Sequence, residues 1–334
     1  MCGKSSDSFG RLVAHIRSAR SVLIVAHARP DGDTLGSMVA LARAAERAGK
    51  TVHLLSPDPA PRRYAFLCEG RVLAGPGRFA ALADAADLII VLDTCTFSQL
   101  EPLAGELRAR RGKIAVVDHH ATVDDLGAVQ WIDTSAAAAG VMVAELIAAL
   151  GWAIDLPTAE ALMAAVTSDT GWLRFANTDG RCLRLAAEWL DLGVRTDALY
   201  KQIYQTDRPA RLALVARMLA SLELHAGGRL AAMTIRKADF TATGALPEET
   251  GNLVNEALRV GSVDTAILVV EDVDCVRASL RSRDAIDVAD IARRFGGGGH
   301  ARAAGVRVSD DVDTLKARLV EACEAELKKV FQEG

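Results

Sequence analysis

Three short apolar runs rich in Val and Ile each end in an acid or a histidine, and this restricts the chain to few architectures. Residues 21–26 lead into His27, Asp31 and Asp33, residues 88–92 into Asp93, and residues 113–117 into Asp118, His119 and His120. Apolar runs of this length, alternating with helical stretches, read as buried parallel strands of an α/β fold. In a doubly wound, mainly parallel sheet, ligands bind in the crevice beyond the carboxyl ends of the strands. One such acid alone would read as a helix cap or turn residue. Gathered with three histidines, the acids read as a metal site.

The donor types narrow the metal. Imidazole and carboxylate without thiolate suit a borderline-to-hard divalent ion such as Mn²⁺. The set exceeds the needs of one ion, and a single dication would leave much of the carboxylate repulsion uncompensated. Two divalent ions sharing a carboxylate satisfy both counts. Pairs of this kind, roughly 3.5–4 Å apart, clamp the attacking and leaving oxygens of a phosphoryl displacement.

These residues also carry a resemblance. His27 to Asp33, followed by Gly36 and Ser37, resembles the first motif of the DHH phosphoesterase family. Asp93 is similar to the second motif, Asp118-His119-His120 to the third, and Ser168-Asp169-Thr170-Gly171 to the fourth, where many members have Thr at the position of Ser168. Gly297 to Gly305, with His300 inside it, resembles the glycine-rich motif of the DHH-associated C-terminal domain. The resemblance runs over about residues 10 to 330 and is greatest to the NrnA-like bifunctional oligoribonucleases (nanoRNases) and pAp phosphatases. It implies that His27, Asp31 and Asp93 hold one metal. Asp33, Asp93, His119 and Asp169 would hold the other, with Asp93 bridging and a shared role for Asp169 left open. His120 would contact the phosphate or the leaving oxygen, and Asp118 would orient a histidine from behind.

Composition fits that layout. The chain has 334 residues and a net charge of −4, so no broad basic face is expected to hold long nucleic acid. Its six cysteines form no Cys-x-x-Cys pair, which disfavours a zinc ribbon and a disulfide framework and fits a cytoplasmic protein. Neither a signal-peptide core nor a run of ~20 apolar residues is seen, so no membrane span is expected.

Along the chain, residues 1–10 read as polar and loose. Helices are expected over 34–48, 135–150, 158–167 and 181–192, with a further strand at 51–55. Strand-type sequence restarts at Leu222 with a hairpin signal around Gly227-Gly228. This gives a first domain over 10–190, a helical connector over 191–221, and a smaller C-terminal α/β domain over 222–330. A helix over 315–330 closes the chain.

In the second domain, residues 276–283 alternate as a strand, with Arg277, Ser279, Arg281 and Arg283 on one face. Guanidinium groups in a row can read phosphate. Four consecutive glycines, Gly296 to Gly299, cost backbone entropy on ordering, so something there requires close backbone approach or positive φ. A loop whose N–H groups cradle an anion, assisted by His300, is the expectation. Arg281, Ser282, Arg283, Gly297, Gly298, Gly299 and His300 are the candidate substrate-binding residues. A cleft between a metal-bearing and an anion-binding domain would act as a length ruler. The expected activity is hydrolysis of very short 5′-phosphorylated oligoribonucleotides to mononucleotides, with pAp as a second substrate. Short single-stranded RNA or dinucleotides are the expected partners, and a homodimer is allowed for. The alternatives are a cyclic- or linear-dinucleotide phosphodiesterase and, in another class, a non-catalytic RNA-binding module.

Overall fold

The computed structural model describes residues 3–272, 274–283 and 285–332. The chain divides into two compact units, Met1–Thr206 and Asp207–Gly334. The first contains, in chain order, α1 (Gly3–Ser18), β1 (Ser21–Val25), α2 (Gly32–Arg47), β2 (Thr51–Leu55), β3 (Leu73–Ala74), α3 (Phe79–Ala85), β4 (Leu88–Leu92), α4 (Ala104–Ala109), β5 (Ile114–Asp118), β6 (Val129–Ile132), α5 (Ala139–Leu150), α6 (Leu156–Asp169), α7 (Gly180–Asp191) and α8 (Thr196–Tyr204).

Its sheet has the order β3-β2-β1-β4-β5-β6, and every pairing is parallel. β4 and β5 are buried at every position. Helices cover both faces, as a parallel sheet requires. One core joins α1, α2, α5 and α6 to Ile24, Ile90 and Val117, and the other packs Phe79, Leu103 and Leu107 against Leu23, Ile89 and Val116. Residues 3–10, expected to be loose, instead belong to α1, where Leu12 and Ile16 are buried. The polar opening of the sequence hid a helix whose apolar stripe begins late.

Within this unit α2 packs backbone to backbone against α6. A Cβ at Gly36 would lie 2.4 Å from Ala161 O and 2.8 Å from Ala165 N, so only glycine lets the two backbones meet there. This fixes Asp31 and Asp33, at the start of α2, relative to Asp169 at the end of α6.

The second unit contains α9 (Pro209–Ala220), β7 (Glu223–His225), β8 (Leu230–Ile235), α10 (Lys237–Thr243), β9 (Thr265–Glu271), β10 (Val276–Ser282), α11 (Val288–Arg294), β11 (Gly298–His300), β12 (Ala303–Val308) and α12 (Val312–Gln332). Its sheet order is β11-β12-β10-β9-β8-β7, antiparallel except for β8 with β9. The stretch read as one connector is divided between the units. Leu199 and Ile203 of α8 join the first core, whereas Leu214 and Met218 of α9 pack on β8 and β9. Pro209, which cannot donate to a preceding turn, opens α9 and separates the two helices.

Candidate metal centre

β1, β4 and β5 are neighbours, so their carboxyl ends lie side by side. Beyond β1 the chain carries His27 and then Asp31, which caps α2 by accepting from Thr34 N at 3.0 Å. Beyond β4, Asp93 adopts φ +62°, a left-handed conformation that aspartate tolerates better than most residues. Asp118 ends β5, with His119 and His120 following it.

Three groups of acid and imidazole atoms meet within 4.8 Å of one another: His27 with Asp31 and Asp93, Asp33 with His119 and Asp169, and Asp93 with His119 and His120. His119 Nε2 lies 3.3 Å from Asp93 Oδ1, 3.3 Å from Asp169 Oδ2 and 3.8 Å from Asp33 Oδ2. His27 Nε2 lies 3.6 Å from Asp93 Oδ2. Asp93 therefore stands between the two halves of the cluster. All six residues expected to ligate metal are brought together.

Backbone carbonyls orient both inner imidazoles. His27 Nδ1 bonds Ala28 O at 2.8 Å and His119 Nδ1 bonds Ala136 O at 3.2 Å, which turns each Nε2 toward the carboxylates. Asp118 is fully buried and takes both the backbone N–H of His120, at 3.1 Å, and its Nδ1, at 2.8 Å. The His120 side chain remains 39% exposed.

The charges are crowded. Burial, reinforced by Asp93 and Asp169, raises Asp33 well above the usual carboxylate range, and burial with the same two neighbours raises Asp31 to about 6. Burial opposes a charge on His119, but Asp169 and Asp93 outweigh it and push the ring up to about 12. Burial likewise opposes a charge on His27, yet Asp93 raises it to about 9. Burial works against ionised Asp93 too, and the two imidazoles still hold it below its ordinary range. Among the described residues, Asp93 Oδ1 and His119 Nε2 are buried without a hydrogen-bond partner, a costly condition that a cation ligated by both would relieve. The donor set thus fits divalent cations.

Sequence reasoning missed two contributors. Thr34 donates to Asp93 Oδ2 at 2.6 Å and also meets His27 Nε2, linking the first two strand ends. Asp33 has a second role: its oxygens accept from Ala139 N at 2.6 Å and Gly140 N at 2.8 Å, capping α5 from another helix. The N-cap residue of α5, Ala138, has no side chain able to do so. The sequence hid this, because Thr134 and Ser135 read as the start of the helix, whereas α5 begins only at Ala139.

The candidate substrate residues of the second unit fare unevenly. Arg281 is half-buried on β10, its guanidinium donating to Leu280 O at 3.1 Å. Arg283 donates to two backbone carbonyls, those of Leu258 and Gly261. Ser282 shares the buried face of Val276, Ala278 and Leu280, is 5% exposed, and accepts from Ile286 N. Period-two alternation puts an even-numbered residue there. The glycine run is not a loop throughout. Gly298 to His300 form β11, paired with β12, and a Cβ at Gly297 would lie 2.1 Å from Gly305 O. Close backbone approach at Gly297 and Gly299, with φ of +74° at Gly296 and +143° at Gly299, explains three of the four glycines. The His300 side chain lies outside the described residues.

Fold and site together define a DHH-type metal centre followed by an associated α/β unit. The model described as "DHH family, N-terminal domain" matches residues 21–166, and that of the DHHA1 domain matches residues 227–329; the chain belongs to the DHH family. It is 32% identical over 96% of its length to the bifunctional oligoribonuclease and PAP phosphatase NrnA of Thermus thermophilus, covering 94% of that protein. It is 26% identical to the Bacillus subtilis protein of the same name, with 93% and 97% of the two chains covered. Among solved structures, an exopolyphosphatase-related protein from Bacteroides fragilis shares the fold at TM-score 0.90, with 22% identity and 98% of both chains covered.

Proposed function

We propose that this chain is a metal-dependent phosphohydrolase that cleaves very short 5′-phosphorylated oligoribonucleotides to mononucleotides and also dephosphorylates pAp. The observation that carries this reading is the pair of donor groups, His27-Asp31-Asp93 and Asp33-His119-Asp169, joined through Asp93. Two relatives matched along almost their whole length bear the name of this double activity.

His27, Asp31 and Asp93 would hold one divalent ion and Asp33, Asp93, His119 and Asp169 the other; imidazole with carboxylate favours Mn²⁺. When bound, the ions supply stabilisation of phosphoryl charge and a water acidic enough to attack phosphorus near neutral pH. The protein's own contribution is orientation. Ala28 O and Ala136 O fix which nitrogen of His27 and His119 faces inward. Asp118 holds His120 by Nδ1, so that its outer nitrogen can donate to a phosphate or leaving oxygen, and the Asp118 hydrogen bond raises the His120 pKa. In the second unit, Arg281, Arg283, the Gly297–Gly299 backbone and His300 would bind a further phosphate of the substrate.

The test is a panel of 5′-labelled dinucleotides to hexanucleotides, pAp and cyclic dinucleotides, assayed after chelation and after adding back Mn²⁺ or Mg²⁺. Turnover of the short linear substrates and pAp should vanish in chelator and return best with Mn²⁺. Full turnover without metal, or turnover of cyclic dinucleotides alone, would overturn the reading.

A further inference from the structure

The chain is poor in aromatic residues and has only three tyrosines, Tyr64, Tyr200 and Tyr204. All three lie in one place in the first unit. Tyr64 OH is 3.1 Å from the Oγ of Ser168, the residue before the metal-centre Asp169. Tyr200 and Tyr204, one turn apart on α8, have ring centroids 4.9 Å apart. Trp172 meets both edge-on, at 5.0 Å and 5.7 Å. Arg63 is near enough to Tyr64 and Tyr204 for its charge to act on both phenols, and Arg174 acts on Tyr204.

Packing alone explains part of this cluster, since Tyr64 is buried and Tyr204 half-buried. It does not explain Tyr200, which keeps 38% of its surface exposed. Nor does it explain the backbone. Gly171, Trp172 and Leu173 take φ of 54°, 62° and 63° in succession, directly after Asp169 and Thr170. Left-handed conformations at Trp and Leu are costly and persist where surrounding structure enforces them, commonly at ligand sites. Here they turn the chain back so that Trp172 N bonds Thr167 O at 2.8 Å, which ties the Trp172 backbone to the last turn of α6. The result is an aromatic cluster carried by the segment that follows Asp169, with Arg174 Nε held on Gly171 O at 2.7 Å beside it. A π-face with adjacent cations suits a nucleobase and is wasted on a bare phosphate chain.

We propose that the Trp172–Tyr200–Tyr204 cluster is a stacking shelf for the base of the nucleotide whose phosphate sits at the metal centre, with Tyr200 as the outer ring. This deepens the phosphohydrolase reading and rests on it for the position of the phosphate. Stacking on one aromatic ring is sequence-tolerant, so the shelf would select for the presence of a base without selecting which base.

The test compares AMP with ribose 5-phosphate by equilibrium binding to the full chain, in wild type and in Tyr200→Ala, Tyr200→Leu and Tyr200→Phe. Wild type should prefer AMP by about tenfold or more, the range expected for one stacked base. Tyr200→Ala and Tyr200→Leu should lose most of that preference and Tyr200→Phe should keep it. The leucine variant retains apolar bulk without a π-face, so loss in both it and the alanine variant, at unchanged melting temperature, separates stacking from packing. An AMP preference that survives in both variants overturns the shelf, as does its absence from wild type. Because binding is read without turnover, a protein that prefers AMP through Tyr200 yet hydrolyses no oligonucleotide would keep the shelf and sink the proposed activity. One that hydrolyses dinucleotides and their base-free analogues equally well, with or without Tyr200, would do the reverse.

Discussion

Replacing Gly36 by alanine tests whether the contact between α2 and α6 sets the metal centre. The new methyl carbon would fall 2.4 Å from Ala161 O and 2.8 Å from Ala165 N, both backbone atoms that cannot rotate away. Ordinary contact needs about 3.5 Å, so the helices must separate by roughly 1 Å. Alanine in a helix interior gains ~1 kcal/mol over glycine. Overpacking costs ~1–3 kcal/mol and falls at the upper end against backbone, so we expect a net loss of about 1–2 kcal/mol. The larger consequence is geometric. Asp33 lies one turn from Gly36, and Asp169 ends α6, so the shift opens the distance between two proposed ligands. Misplacement by about 1 Å costs on the order of a hundredfold in activity. Urea unfolding with and without chelator, bound metal per chain and turnover together read the effect. Gly10→Ala is the control: it lies in α1 with nothing within 4 Å of the added carbon, and should stabilise by ~0.5–1 kcal/mol. A Gly36→Ala protein with wild-type stability, metal content and turnover would refute the reasoning.

Asp33→Ala should lose about 2 kcal/mol of stability even in chelator, because Ala139 N and Gly140 N lose their acceptor, whereas Asp169→Ala should not; equal melting of the two variants would remove the capping role. Asp93→Ala should empty both metal positions and Asp31→Ala only one, as metal analysis would show; one ion retained by the Asp93 variant would contradict the bridge. His120→Ala should fold and keep its metals yet lose turnover, and a halved metal content would instead make His120 a ligand. In chelator, stability should fall as pH rises from about 5 to 9. Asp31 binds its proton up to about 6 in the fold against 3.8 ordinarily, and His27 up to about 9 against 6.5, so the folded state holds the extra protons throughout that window. With metal bound the trend below pH 7 should reverse, since protons then compete for the ligands. Melting temperatures across that range, with and without metal, decide both signs.

The sequence by itself determined the elements of the site. Short Val- and Ile-rich runs declare buried strands, and the residues just after each run must emerge at a strand end, so His27, Asp93 and His119 were placed by local pattern alone. Asp169 was legible through the motif around it. The same pattern could not say that β1, β4 and β5 are neighbours, because pairing order depends on contacts between residues far apart in the chain. Nor could it show that Asp33 caps α5 across more than a hundred residues, or that Thr34 ties His27 to Asp93. Gly36 is ordinary in a helix until α6 is laid against it. Alternation along β10 places Ser282 with Val276, Ala278 and Leu280, and α1 is hidden in the sequence because polar residues open it. The glycine run announced a backbone constraint, and only the pairing of β11 with β12 revealed which one. Periodicity and donor chemistry are properties of neighbouring residues and survive in the linear chain. Strand order, caps supplied in trans and close backbone approach are relations between distant segments, and they exist only once the chain has folded.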